Sequence, residues 1–214
     1  TDEQGNNVIE YKDKDGKVIL KKVQFLSNPS TGPAGWLNTY YIYDKLGNLR
    51  FVLQPKAVEW LLTHNWNFDS NTWQNSLIAK ELCFSYEYDD RNRMDIKRVP
   101  GAGETWMVYD ARDRLVMTQD SALRALGKWM YMQYDSLNRP VLSGLWATNK
   151  SLKNLQNHAS TSVSYPNPTS NYEILTETYY DNYSWVGASG SGLNNALITA
   201  NGVTGTSYFY AAGD

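Results

Sequence analysis

Few side chains in this 214-residue chain could carry out chemistry. Glu87, Asp89 and Asp90 lie close enough in sequence to supply the paired carboxylates of a glycosidase, where one acid protonates and the other attacks or activates water. Asp89, however, also fits a recurring turn pattern described below. The two histidines, His64 and His158, each follow a short helical stretch, where an imidazole at the helix C-terminus is favourable. Neither shows metal-ligand spacing. Gly187-Ala-Ser-Gly-Ser-Gly192 has the composition of a nucleophile elbow without its spacing. Asp13, Asp15 and Gly16 suggest a calcium loop, but an EF-hand would need acids at Tyr11 and Lys22, so a charged hairpin tip is the better reading. The one cysteine, Cys83, excludes an internal disulfide framework and a cysteine-based zinc site, and suits a small buried apolar position. Arg91, Arg93, Lys97 and Arg98 alternate with Asp89, Asp90 and Asp95, which makes a solvated strand face rather than a nucleic-acid groove. No catalytic residue, metal ligand or cofactor is assigned.

The bulk composition agrees. Twenty Lys and Arg against 22 Asp and Glu give a net charge of −2, which argues against neutralising a phosphate backbone. No apolar run approaches the ~18 residues of a membrane span. The start, Thr1-Asp-Glu-Gln-Gly, carries no targeting features, so any signal peptide is expected outside the sequence given. Aromatic residues are abundant, with 16 Tyr, 8 Trp and 5 Phe. Tyr and Trp suit a sheet with one wet face. If exposed, Trp36, Trp66, Trp73, Trp106 and Trp129 could stack on sugar rings. If buried, they fill a sheet.

A repeat runs along the chain. Tyr-Asp recurs at 43–44, 88–89, 109–110, 134–135 and 180–181, with tyrosine spacings of 45, 21, 25 and 46. The two long gaps should hold a degenerate unit or an insertion. Three residues after each of the first four aspartates stand Gly47, Asn92, Asp113 and Asn138, the types that best tolerate positive φ. Apolar-rich, alternating runs flank each site. Each unit (Tyr43, Asp44, Gly47; Tyr88, Asp89, Asn92; Tyr109, Asp110, Asp113; Tyr134, Asp135, Asn138) reads as a β-hairpin whose Asp accepts N–H groups across the turn. Asp13 to Gly16 repeats the turn spacing, but Tyr11 is one position out of phase, which makes it a weak member. Asp181 is followed by Asn182-Tyr183-Ser184, an imperfect turn.

The expected fold is mainly β: consecutive antiparallel hairpins in an open curved sheet, with one or two short helices in insertions. An N-terminal hairpin and loop occupy 1–37. The hairpin array spans 38–144, with a helical insertion near 55–82 that starts at Pro55. A degenerate repeat and a Gly/Ser/Asn-rich tail fill 145–214, with short helices also suggested near 120–127 and 151–158. Order in the tail is expected only at Thr206–Tyr210.

The pattern Tyr-Asp-x-x-(Gly/Asn/Asp)-(Arg/Asn)-(Leu/Met/Pro), clearest over 38–143, resembles the Rhs or YD-repeat family, and 84–144 resembles its large secreted, cell-wall-associated bacterial members. The resemblance implies a ribbon of hairpins wound into a hollow shell. In such proteins the shell encloses a C-terminal toxin, and in others the repeats serve adhesion or carbohydrate binding. It further implies a secreted or cell-surface location and a structural, non-enzymatic role. The implied partners are the remaining repeats of a parent chain, an enclosed toxin domain or a surface glycan, with self-association through exposed strand edges. Nucleic acid is not among them. The Rhs core, its self-cleaving aspartates and any toxin domain are not recognisable here, and four or five units are too few to close a shell.

Overall fold

The computed structural model describes residue 1, residue 3, residues 5–66 and residues 77–180. Eleven strands form one sheet in strict sequence order, every neighbour antiparallel. They are β1 (Val8–Lys12), β2 (Val18–Gln24), β3 (Trp36–Tyr43), β4 (Leu49–Leu53), β5 (Cys83–Tyr88), β6 (Met94–Val99), β7 (Gly103–Tyr109), β8 (Leu115–Gln119), β9 (Lys128–Tyr134), β10 (Pro140–Ala147) and β11 (Tyr172–Glu177). The sheet is open, with β1 and β11 at its edges. Trp73, the 67–76 loop, the Asp181 turn, the 187–192 Gly/Ser run and Thr206–Tyr210 lie outside the described residues.

The five Asp turns all lie at one end of the strands; the connections at the other end vary in length, from the three residues between β6 and β7 upward. Four short helices stand in those connections among the described residues: α1 (Pro55–Thr63), α2 (Leu77–Leu82), α3 (Ser121–Ala125) and α4 (Leu152–Ala159). The 55–82 insertion thus holds two helices, and the second long gap, before β11, holds α4. Pro55 starts α1, where its missing N–H costs nothing. Asp120 Oδ1 caps α3 by accepting from the Leu123 N–H at 2.8 Å, and Ser151 caps α4 through the Asn154 N–H.

The helices cover one face of the sheet. Residues opposite each other on paired strands share a face. Tracing partners from Phe51 to Ser85, Arg98 and Glu104, then along β7 to Trp106 and Val108, stays on that face. It carries two separate cores. In the first, Ala57, Val58 and Leu61 of α1 and Ile78 of α2 pack on Phe51, Leu53 and Cys83. In the second, Leu155 and Ala159 of α4 pack with Val108, Met117, Trp129 and Tyr131. On the uncovered face, Tyr41, Val52, Tyr86, Lys97, Thr105, Met107 and Thr118 are half-buried, the alternation expected of an antiparallel sheet with one wet side. Gly144 on β10 is needed for space: a side chain there would begin 2.7 Å from the Tyr131 ring, which lies across it.

Leu155→Ala should lower the unfolding free energy by about 2–5 kcal/mol, because Leu155 is wholly buried in the second core. Leu46→Ala, at a turn tip where Leu46 is 75% exposed, should change it by no more than about 0.5 kcal/mol. Urea unfolding of the two variants measures the difference.

Candidate functional site: a ladder of clasped turns

Five hairpins share one turn geometry, built from residue type upward. In each, the Asp carbonyl accepts from the N–H three residues on, and the Asp N–H donates to the carbonyl four residues on, at 2.9–3.1 Å throughout. The third residue is left-handed: Gly16 (φ 82°), Gly47 (85°), Asn92 (59°), Asp113 (62°) and Asn138 (63°). This is a type I turn closed by a left-handed residue, a frequent three-residue hairpin connection. The Asp side chain completes it. Oδ1 of Asp13, Asp44, Asp89, Asp110 and Asp135 accepts the N–H groups two and four residues on, at 2.9–3.0 Å. The Asp13 turn, which the displaced Tyr11 made look weak, matches the other four in these bonds.

One step past each turn the strand carries an extra residue. Val18 faces Lys12 and Leu20 faces Tyr11, leaving Ile19 as a bulge. Arg50, Asp95, Val116 and Val141 are the bulges of the other four hairpins, each six residues after its Asp. A bulge bends its strand and increases local twist, so the same bend recurs once per hairpin.

The tyrosines join hairpin to hairpin. The hydroxyl of Tyr43 donates to the Val18 carbonyl, Tyr88 to Leu49, Tyr109 to Met94, Tyr134 to Leu115 and Tyr180 to Pro140, at 2.8–3.1 Å. Each acceptor stands five residues after the Asp of the preceding hairpin. Burial raises the pKa of Tyr43, Tyr88, Tyr109 and Tyr134, which keeps these donors protonated.

In the last four hairpins the residue four after the Asp works in both directions. Arg93, Arg114 and Arg139 donate through Nε to their own Asp Oδ2 at 2.7 Å. Their guanidinium carbons lie 4.8, 4.8 and 4.3 Å from the ring centres of the next tyrosines, Tyr109, Tyr134 and Tyr180. Arg93 reaches onward to Asp113 Oδ1 (2.6 Å) and Arg114 to Asn138 Oδ1 (3.0 Å), the left-handed residues of the following turns. Asn48 takes this place in the second turn, bonding Asp44 Oδ2 and Asn92 Oδ1 at 3.2 Å.

The electrostatics follow from this. Burial pushes the Asp44 and Asp89 carboxyls up, but donors outweigh it: Asn48 and the Leu46 N–H for Asp44, Arg93 and the Arg91 N–H for Asp89. Both titrate below the ordinary value. Asp135 is lowered first by the Arg139 N–H, and Asp113 first by its hydrogen bond from Arg91.

The other candidates stand apart from any shared site. Asp89 is committed to its turn, while Glu87 and Asp90 are exposed. His64 stacks on Trp60 at 3.8 Å and contacts the Trp60 carbonyl. His158 contacts the Asn154 carbonyl one helical turn back. Cys83 is fully buried and its thiol is pushed up to about 12 by desolvation. The basic cluster divides: Arg91 and Arg93 enter the ladder, Lys97 lies on the open face, and Arg98 pairs with Glu104 on the helix-bearing face. Among the described residues, the neighbouring tryptophans Trp106 and Trp129, with ring centres 6.1 Å apart, offer no exposed row. Trp129 is 1% exposed, a correction to its reading as a sugar-stacking face. Trp106 is covered by Arg124 at 3.8 Å and Trp36 by Lys22 at 4.8 Å. Trp66, beside Tyr40, is 43% exposed. Among the described residues no three His, Cys, Asp or Glu side chains gather as a metal site. No described helix is long and apolar enough to cross a membrane.

No family model and no curated protein matches the chain. Among solved structures, it is similar to a chain of the Photorhabdus luminescens Tc holotoxin pore, at 19% identity and a TM-score of 0.47. It is similar also to TcdB2–TccC3, at 19% identity and a TM-score of 0.48. Each match covers 68% of this chain and 6% of the other, so the sequence spans a small fraction of those proteins.

Two predictions follow from the ladder's geometry. Asp110 is fully buried and Arg114 nearly so, hence Asp110→Ala should cost about 3–5 kcal/mol by leaving the Arg114 guanidinium without its carboxylate and two turn N–H groups without their acceptor. Asp13→Ala, at the exposed first turn, should cost about 1 kcal/mol. Urea unfolding separates the two. The second concerns acid. Carboxyls lowered by folding stabilise fully above about pH 4 and lose that stabilisation as pH falls through their lowered folded values. Melting temperature should therefore drop below pH 4, and less steeply in Asp89→Asn than in the parent chain.

Proposed function

We propose that this chain is a non-enzymatic section of the wall of a large, secreted or cell-surface Rhs/YD-repeat shell, which encapsulates or displays an effector segment of the same parent protein. The observation that carries the reading is the clasp. Five times, a tyrosine hydroxyl reaches the same backbone position of the preceding hairpin, whatever the length of chain between them. Residue types that repeat solely to join one hairpin to the next suit a scaffold. The two edge strands support it as well. Among the described residues β1 and β11 each have a single neighbouring strand, and every residue of β11 is exposed. An unpaired edge invites another strand, and further repeats of the parent chain would supply it.

Electron cryo-microscopy of the full-length product of the encoding gene tests the proposal. The expected result is a continuous wall in which β1 and β11 are flanked by further antiparallel strands, with their turns on the same rim. A full-length product in which both strands end at solvent, as the borders of a free-standing domain, would overturn it.

A further inference from the structure

Between the two cores, on the helix-covered face, lies an open cleft of about 600 Å³ lined by Lys80 of α2, Arg98 of β6, Glu104 of β7, and Ser121, Arg124 and Ala125 of α3. Three cations and one acid line it; Asp120 and Glu81 stand outside the lining. The ladder makes no use of these residues, since it runs along the opposite ends of the strands.

The two guanidiniums are held in place before any ligand arrives. Arg124 lies against the Trp106 ring with its carbon 3.8 Å from the ring centre, and both of its terminal nitrogens donate to the Glu104 carbonyl at 2.7 and 3.2 Å. Arg98 donates to Glu104 Oε1. The second oxygen, Oε2, accepts from Trp106 Nε1 at 2.8 Å. The one lining carboxylate is thereby used on both oxygens, and the Lys80 ammonium has no partner among the described residues. Burial lowers the Arg124 pKa, against the pull of Glu104 and Asp120 and with a smaller push from Arg98.

Planar guanidinium forks and an ammonium around one opening suit a compact oxyanion better than an apolar ligand. Within the lining, positive charges exceed negative by two, so a dianion is attracted more strongly than a monocarboxylate. We infer that the cleft formed by Lys80, Arg98 and Arg124 is a binding site for a doubly charged oxyanion, a phosphate or sulfate group.

Inorganic phosphate, sulfate and acetate are the probes, titrated into the isotope-labelled chain at low salt while the Ser121 and Ala125 amide resonances are followed. Saturable shifts with phosphate or sulfate, weaker with acetate, are expected, and stronger response to one of the two dianions identifies the ester class. Lys80→Gln should weaken binding about tenfold, the loss of one charged hydrogen bond, with an unchanged melting temperature. Lys80→Glu should abolish it. Lys153→Gln, an exposed position on α4 outside the cleft, should leave it intact. The inference is overturned by an absence of saturable shifts, by acetate equalling phosphate, or by equal loss in the Lys80 and Lys153 variants.

Discussion

The hydrogen bond from a motif tyrosine to the strand of the hairpin before it is the constraint on which the remaining architecture depends. A single hairpin is marginal in water. Here each turn is stabilised locally by its Asp and tied to its neighbour by a hydroxyl, so the hairpins stack in register. The acceptor lies immediately before the bulge. Bend and clasp therefore recur together, and a strand that lost the bulge would carry its carbonyl away from the waiting hydroxyl. The arginines strengthen the same joint by covering the tyrosine ring, bonding their own Asp and reaching the next turn.

Much of this was legible in the chain. Tyr-Asp recurrence, the left-handed residue three positions on and the Arg or Asn after it all show on inspection, and they imply a hairpin series. The Asp13 turn looked weak because Tyr11 departs from the tyrosine position, yet the turn itself needs only the aspartate and Gly16. The partner of each tyrosine was not legible. Cross-hairpin contacts depend on a bulge, and nothing in the types Ile19, Arg50, Asp95, Val116 and Val141 marks them as one class. Trp129 shows the same limit: a tryptophan on a strand has either fate until its neighbours are placed, and here it lies within the second core.

The sheet is asymmetric in a way that follows from its insertions. Both long gaps deposit helices on the same face, giving two cores rather than one continuous layer. Between them the strands bear charged residues, Arg98 and Glu104, where a helix would otherwise demand apolar ones. The uncovered face keeps its half-buried aromatic and polar mixture.

The clasps span 25, 39, 15, 19 and 40 residues of chain without changing their geometry. Closing the longest of these rather than the shortest costs less than about 1 kcal/mol in loop entropy. One rim of the ribbon is thus held to a fixed pitch while the other tolerates inserts of almost any size. Mutation can elaborate that permissive rim, adding lids, sockets or contact surfaces, without disturbing the stitching opposite.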